Sequence, residues 1–372
     1  MSRVVDNFLK LVQIDAPSKQ EKPMALELQK QLEASGFEVY FDDSAKETGS
    51  NVGNLIASLQ GTAPGQIVLS AHMDAVDPCC GIKPVVGSDG VIRSSGDTIL
   101  SADDRCGLAS IIEAVTRIQE QKDCAYPDVL ITFTVQEEQG LVGAKHLDAS
   151  LFEKNPLTVV ADGDGEPGVI CIGAPFHHNF KAKFIGKAAH AGVEPEKGIS
   201  AIVVASKAIS AIKWGRLDSE TSSNIGSIKG GRADNIVADE AYLTGECRSL
   251  DEQKCDKAKL DIQEAFERAA LEEGAQLEIE WELEYAGYKY DEHEPLVELL
   301  KNAATAAGLS PRTEVSGGGS DANVIAGKGA RSVVLGTGMT NFHSLDEYIK
   351  AEDLEKTADF IEQIIYEVAK EA

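Results

Sequence analysis

The chain has 372 residues, enough for two domains and a full core, and its 43% hydrophobic and 26% charged content fit a soluble globular protein. With 61 acidic against 35 basic side chains the net charge is −26, a surface that repels phosphate backbones and argues against nucleic-acid binding. Seven cysteines without CxxC pairing, a charged N-terminus and the lack of a long apolar run argue against a disulfide framework, a signal peptide and a membrane span, so the cytoplasm is the expected compartment.

Val4, Val5, Phe8, Leu9, Leu11 and Val12 recur at helical spacing and predict an amphipathic first helix. A second helix is predicted from near Pro23, carrying Leu26, Leu28 and Leu32 and stopping at Gly36. Apolar runs of strand type follow at 54–59, 67–69, 129–135, 157–160 and 331–335, with an amphipathic helix over 107–118 between them. Continuous Val/Ile/Leu runs alternating with helices predict an α/β domain with a central, mostly parallel sheet flanked by helices.

The middle of the chain has a different period. Residues 180–185, 241–247 and 277–283 alternate apolar with polar, as strands of an antiparallel sheet with one open face do. Helical stretches at 199–212 and 251–273 lie between them. The predicted organisation is an α/β domain, 1–175 with 289–372, into which a smaller α+β domain, 176–288, is inserted. A terminal helix over 351–368 returns to the first domain.

Candidate ligands cluster after the buried-type strands. His72 and Asp74 follow Ile67-Val68-Leu69, Glu137-Glu138 follow 129–135, Asp162 follows 157–160, and His343 lies a short loop beyond 331–335. In open α/β sheets, sites form in the crevice beyond the carboxyl ends of strands. Residues two apart on an extended segment point the same way, so His72 can take a metal through one ring nitrogen while Asp74 holds the other. Asp103-Asp104 precede the helix over 107–118, where one of the two has an ordinary alternative role as an N-cap. Adjacent acids at the end of a buried strand call for a positive partner, and a divalent cation is one.

The segments Ser70-Ala71-His72-Met73-Asp74, Ala102-Asp103-Asp104-Arg105-Cys106-Gly107, Gln136-Glu137-Glu138-Gln139-Gly140, Ala161-Asp162-Gly163, Gly186-Lys187-Ala188-Ala189-His190-Ala191-Gly192 and Asn341-Phe342-His343 run in this order. On them the chain resembles the M20 metallopeptidase family, and within it the peptidase T-like group. The resemblance implies a zinc-peptidase-like catalytic domain with a lid and dimerisation domain. It also implies two divalent metal ions, zinc by family habit. Asp103 matches the bridging ligand; His72 and Asp162 match the other ligands of one ion, Glu138 and His343 those of the second. Glu137 matches the general base toward a metal-bridging water, Asp74 the residue behind His72, and His190 an oxyanion-stabilising histidine often supplied by a dimer partner.

Arg248 matches a position that holds a substrate carboxylate, with an ordinary surface-strand role as its alternative; Asn235 and Gly318, in the run Gly317-Gly318-Gly319, are expected to shape the substrate end. The expected activity is release of the N-terminal residue from short peptides, tripeptides above all, by a homodimer formed through the lid. Dipeptidases, carboxypeptidases and N-acyl-amino-acid deacylases share the metal chemistry and stay open as alternatives. Arg105 stands where the family commonly has lysine and Ser101 where glycine is frequent, and Cys79-Cys80 follow the His-x-Asp loop; none of these departures removes a ligand.

Overall fold

The computed structural model describes residues 1–121 and 123–371, and the chain divides into two compact units, Met1–Gly173 with Lys289–Ala372, and Ala174–Tyr288. In the first unit an eight-stranded sheet runs in the order Glu38–Phe41, Leu55–Leu59, Asp128–Thr134, Gln66–His72, Leu157–Gly163, Arg331–Gly336, Val169–Cys171, Arg312–Glu314. The central strands Asp128–Thr134, Gln66–His72, Leu157–Gly163 and Arg331–Gly336 are mutually parallel. Both faces are covered. Ile67, Leu69, Phe133 and Val159 face one way, into a core with Phe8, Ile111, Val115 and Ile361. Val68, Leu130 and Ile56 face the other way and pack with Ala144, Phe152 and Ile325. Period-two residues buried on both sides produce the continuous apolar runs of the sequence.

The first helix is Arg3–Leu11, burying Val4, Val5, Phe8 and Leu11. The second, Lys22–Ala34, starts at Pro23 but buries Met24, Ala25, Leu28 and Leu32. Leu26 is 49% exposed, because a turn of about 100° per residue carries it to the side of the helix away from Met24, Leu28 and Leu32. The helix expected over 107–118 spans Ala102–Glu120, yet Asp103 and Asp104 have non-helical backbone angles, so its regular part begins beyond them. The helix Pro295–Ala306, with proline in its first turn and Leu296, Leu299, Leu300 and Ala303 on one buried face, adds to the expected elements. A separate small antiparallel sheet, in the order Tyr348–Lys350, Val91–Ser94, Pro84–Val86, pins the segment after residue 347.

The second unit holds a five-stranded antiparallel sheet in the order Gly215–Arg216, Thr221–Gly230, Glu240–Ser249, Phe176–Ile185, Gln276–Tyr285. Phe180, Ala182, Phe184, Ala241, Leu243 and Cys247 pack against Val204, Ala208, Ile262 and Phe266 of the helices Ala201–Ser210 and Glu252–Glu273. Alternate residues Lys181, Thr244, Glu278 and Glu280 stay exposed. Gly245 is required where it stands: a Cβ there would lie 2.4 Å from the Phe180 ring paired opposite it. Among the described residues no helix is long and apolar enough to cross a membrane.

Candidate metal centre

The carboxyl ends of the parallel strands deliver the expected ligands to one place. His72 is the last residue of Gln66–His72, Asp162 lies at the end of Leu157–Gly163, and Glu137-Glu138 sit in a single 3-10 turn just past Asp128–Thr134. Asp103 stands at the head of the helix Ala102–Glu120, which lies in the crossover from Gln66–His72 to Asp128–Thr134, and is joined to Asp104 by a cis peptide bond. Asp103 lies between the imidazoles: Oδ1 is 2.8 Å from His72 Nε2, and Oδ2 is 3.1 Å from His343 Nε2. His343 Nε2 is also 2.8 Å from Glu138 Oε1, and His72 Nε2 is 3.7 Å from Asp162 Oδ1. One oxygen or nitrogen each from His72, Asp103 and Glu138 lie within 4.8 Å of one another, and so do those of His72, Asp104 and Asp162.

Asp74 ties this cluster to Glu137. Its Oδ1 is 3.3 Å from His72 Nδ1 and accepts the Glu137 backbone N–H at 3.0 Å, while Oδ2 accepts from Ser18 Oγ at 2.7 Å. The His72 ring also has the Asp74 carbonyl 3.1 Å from Nδ1. Asp104 takes the capping role: Oδ1 accepts from Gly107 N–H and Oδ2 from His72 N–H, each at 3.1 Å. Arg105 is fully buried beneath the loop and donates to the carbonyls of Met73 and Asp74 at 2.8 and 3.0 Å.

Charge is unbalanced here. Burial pushes the carboxyl pKa values of Asp104, Glu137 and Asp162 up, and neighbouring carboxylates add to it. Burial also opposes a charged His72, but hydrogen bonds to Asp103 and Asp74 outweigh it and hold the imidazole well above its ordinary value. Hydrogen bonds to Asp103 and Glu138 push His343 up to about 10. Burial disfavours ionised Asp103, yet the two imidazoles pull it below the usual carboxylate range. Protons are thus drawn in where positive charge is short. Two imidazoles among converging carboxylates are a donor set suited to divalent cations, and mixed nitrogen and oxygen ligation suits zinc. The residues fit the group.

Two structural carboxylates here have no sequence signal beyond their residue type. Glu347 is buried and accepts three backbone N–H groups: Leu100 at 2.8 Å and Ser101 at 2.7 Å on one oxygen, Asp103 at 3.1 Å on the other. Burial raises its pKa to about 7, against the pull of those donors. Glu21 accepts the N–H groups of Lys19 and Gln136, at 2.8 and 3.2 Å, and so holds the residue before Glu137.

Other expected residues lie elsewhere. Gly318 donates its N–H to Ser316 Oγ, in the loop before the helix Asp321–Gly327. His190, Asn235 and Arg248 belong to the second unit. There His190 is exposed, bridged to Ile236, and the Asn235 carbonyl accepts from Ala191 N–H at 3.0 Å, so these two share one paired loop. Arg248 stands apart on Glu240–Ser249. Its Nε and Nη2 donate to Glu246 at 3.1 and 2.9 Å, and Nη1 donates to Tyr285 at 3.2 Å. The hydrogen bond from His177 and the Arg248 fork hold Glu246 down at about 2.

The profile of peptidase family M20/M25/M40 matches residues 68–367, a span that includes His72, Asp103, Glu137, Glu138, Asp162 and His343. The YqjE protein of Bacillus subtilis (strain 168) is 42% identical over 369 residues, covering 99% of each chain. The crystal structure of aminopeptidase PepT from Bacillus cereus ATCC 10987 superposes with a TM-score of 0.94 at 43% identity, over 99% of this chain and 98% of that one. A tripeptidase from Staphylococcus aureus subsp. aureus Mu50 follows at 0.92 and 38%, with the same coverage. With a profile over most of its length and relatives along all of it, the chain belongs to peptidase family M20/M25/M40 and, within it, to the peptidase T-like group.

Proposed function

We propose that the chain is a di-zinc aminopeptidase that removes the N-terminal residue from short peptides, tripeptides above all. The observation that carries the reading is Asp103 set between His72 and His343, one oxygen toward each, with Glu137 held beside them through Asp74. Its likeness to aminopeptidase PepT and to a tripeptidase supports the substrate class. His72, Asp103 and Asp162 would hold one cation and Asp103, Glu138 and His343 the other, and when bound the pair supplies Lewis-acid activation of water and of the scissile carbonyl.

The chain's own residues do the rest. Glu137 takes the proton of the attacking water and delivers it to the leaving amine. Burial raises its pKa, which makes its carboxylate a stronger base toward that proton than an exposed glutamate. Asp74 fixes the His72 ring through Nδ1 and orients Glu137 through its backbone N–H. His190 donates a hydrogen bond to the oxyanion, across a homodimer formed by the inserted unit. The Arg248 guanidinium, held in place by Glu246, offers its positive charge to the peptide carboxylate, and Asn235 and Gly318 line the substrate end. A cytoplasmic setting accords with the free thiol state of all the cysteines.

The test is hydrolysis of a free tripeptide beside its N-acetylated form by the zinc-loaded protein. Cleavage of the free peptide alone supports the aminopeptidase. Turnover of the acetylated form alone would make the chain a deacylase on the same residues, and turnover of neither would remove the peptidase reading.

A further inference from the structure

The segment that carries His343 and the segment that carries Asp103 are far apart in sequence, yet one side chain joins them. The His343 loop is closed at its base by the Thr340–Tyr348 pair, with both backbone hydrogen bonds at 3.0 Å. Just inside that closure the Glu347 N–H donates to the Ser344 carbonyl at 3.2 Å, and Ser344 Oγ donates to the Asn341 carbonyl at 2.6 Å. Beyond it, Tyr348–Lys350 is anchored by pairing with Val91–Ser94. Glu347 therefore leaves from a fixed point on the loop, and its carboxylate reaches the backbone of Leu100, Ser101 and Asp103.

We propose that Glu347 is a positioning residue for the metal centre: by gripping the backbone before Asp103 from the His343 loop, it sets the spacing at which Asp103 faces both imidazoles. The proposal rests on the reading of Asp103 as the shared ligand. Each oxygen has its own task. One accepts from Leu100 and Ser101, which precede the helix Ala102–Glu120; the other accepts from Asp103 itself. Ser101 has φ of 56°, so its N–H lies outside the helical ladder and needs such an acceptor. An amide has only one acceptor oxygen. Whichever way Gln at 347 turned, its NH2 would face either the Asp103 N–H or the Leu100 and Ser101 pair, so an isosteric change releases one half of the grip.

The experiment compares full-length wild type with Glu347→Gln and Glu347→Asp. Zinc affinity is read by competition with a chromophoric chelator, ligand geometry by the visible spectrum of the cobalt-loaded protein, stability by urea unfolding of the metal-free protein, and turnover as kcat and KM. The proposal expects Glu347→Gln to weaken the looser zinc by about 10–100-fold, the range for residues that orient ligands. It further expects a changed cobalt spectrum, a matching fall in kcat and a KM within about twofold of wild type. Glu347→Asp, which keeps the charge, recovers part of the zinc affinity.

A folded Glu347→Gln with unchanged zinc affinity and cobalt spectrum, and only a lower unfolding midpoint, overturns the proposal and leaves Glu347 a stabilising residue. If Glu347→Gln does not fold, the Glu347→Asp protein decides by the same two metal readouts. Wild type that takes up no zinc would instead bring down the metal-site reading, and this proposal with it; wild type with two tight zinc ions keeps that reading whatever Glu347 does.

Discussion

In the first unit Asp74, Asp103, Asp104, Glu137, Glu138 and Asp162 gather around His72 and His343, and the buried Arg105 is turned toward backbone carbonyls. In the second unit Glu246 stands between His177 and Arg248, with a cation fork on one side and an imidazole on the other. The residue types are the same and the charge balance is not. Buried like charges repel strongly at low dielectric, so the first cluster draws in positive charge, as protons or as cations. The second is already neutral within itself, which leaves it suited to presenting a guanidinium. An unbalanced buried cluster marks chemistry, while a balanced one marks architecture or a binding handle.

The largest effect that would sharpen this contrast is metal removal. A chelator should abolish turnover and lower the thermal midpoint, because cations at a thousandfold excess over Kd stabilise the folded state by about 4 kcal/mol. Readdition of zinc should restore both in a calorimetric scan followed by assay. Glu137→Gln comes next: kcat should fall by about 10²–10⁴ with KM little changed, as for loss of a general base. Steady-state kinetics on the zinc-loaded variant checks it.

The balanced cluster should respond more mildly. Arg248→Ala is expected to raise KM for a tripeptide by about tenfold, in keeping with a lost charged hydrogen bond, and to leave a C-terminally amidated tripeptide unaffected. Equal effects on both peptides would remove Arg248 from carboxylate binding. Smaller still is the acid dependence of Glu246. Its pKa is held at about 2, below the ordinary 4.5. The stability it lends is therefore full above the unfolded value and lost as pH falls from about 4.5 through about 2. Glu246→Gln should flatten that part of the urea-midpoint profile, and an unchanged slope would deny the pairing.

Last, Asp251→Ala removes the side chain that accepts Lys254 N–H at 2.9 Å at the start of Glu252–Glu273, and should cost about 1 kcal/mol with turnover unaltered.

What the sequence discloses and what it hides divide along physical lines. The two-sided burial of Gln66–His72 and Asp128–Thr134 makes continuous apolar runs, and the alternation of Gln276–Tyr285 reports its open face, so both sheets are legible. The placing of His72 and Asp162 at strand ends is legible for the same reason. Asp103 and Asp104 are only half legible: adjacent acids before a helix read as caps, and Asp104 is one, while Asp103 turns to the imidazoles. Glu21 and Glu347 are not legible at all. The partners that tie them to the site, Gln136 for Glu21 and Leu100, Ser101 and Asp103 for Glu347, are backbone N–H groups more than a hundred residues away, and such donors leave no mark in a sequence. The strand Thr221–Gly230 is hidden by its polar composition and by the register shift between Ile225 and Ser227.

The most direct test of the central claim is zinc content per chain, measured with tripeptide turnover on the same samples of wild type and Glu137→Gln. The account predicts two zinc ions in both proteins and turnover in wild type alone. A Glu137→Gln protein that loses a zinc ion along with its activity would make Glu137 a ligand, and would contradict its role as the base beside a two-cation site.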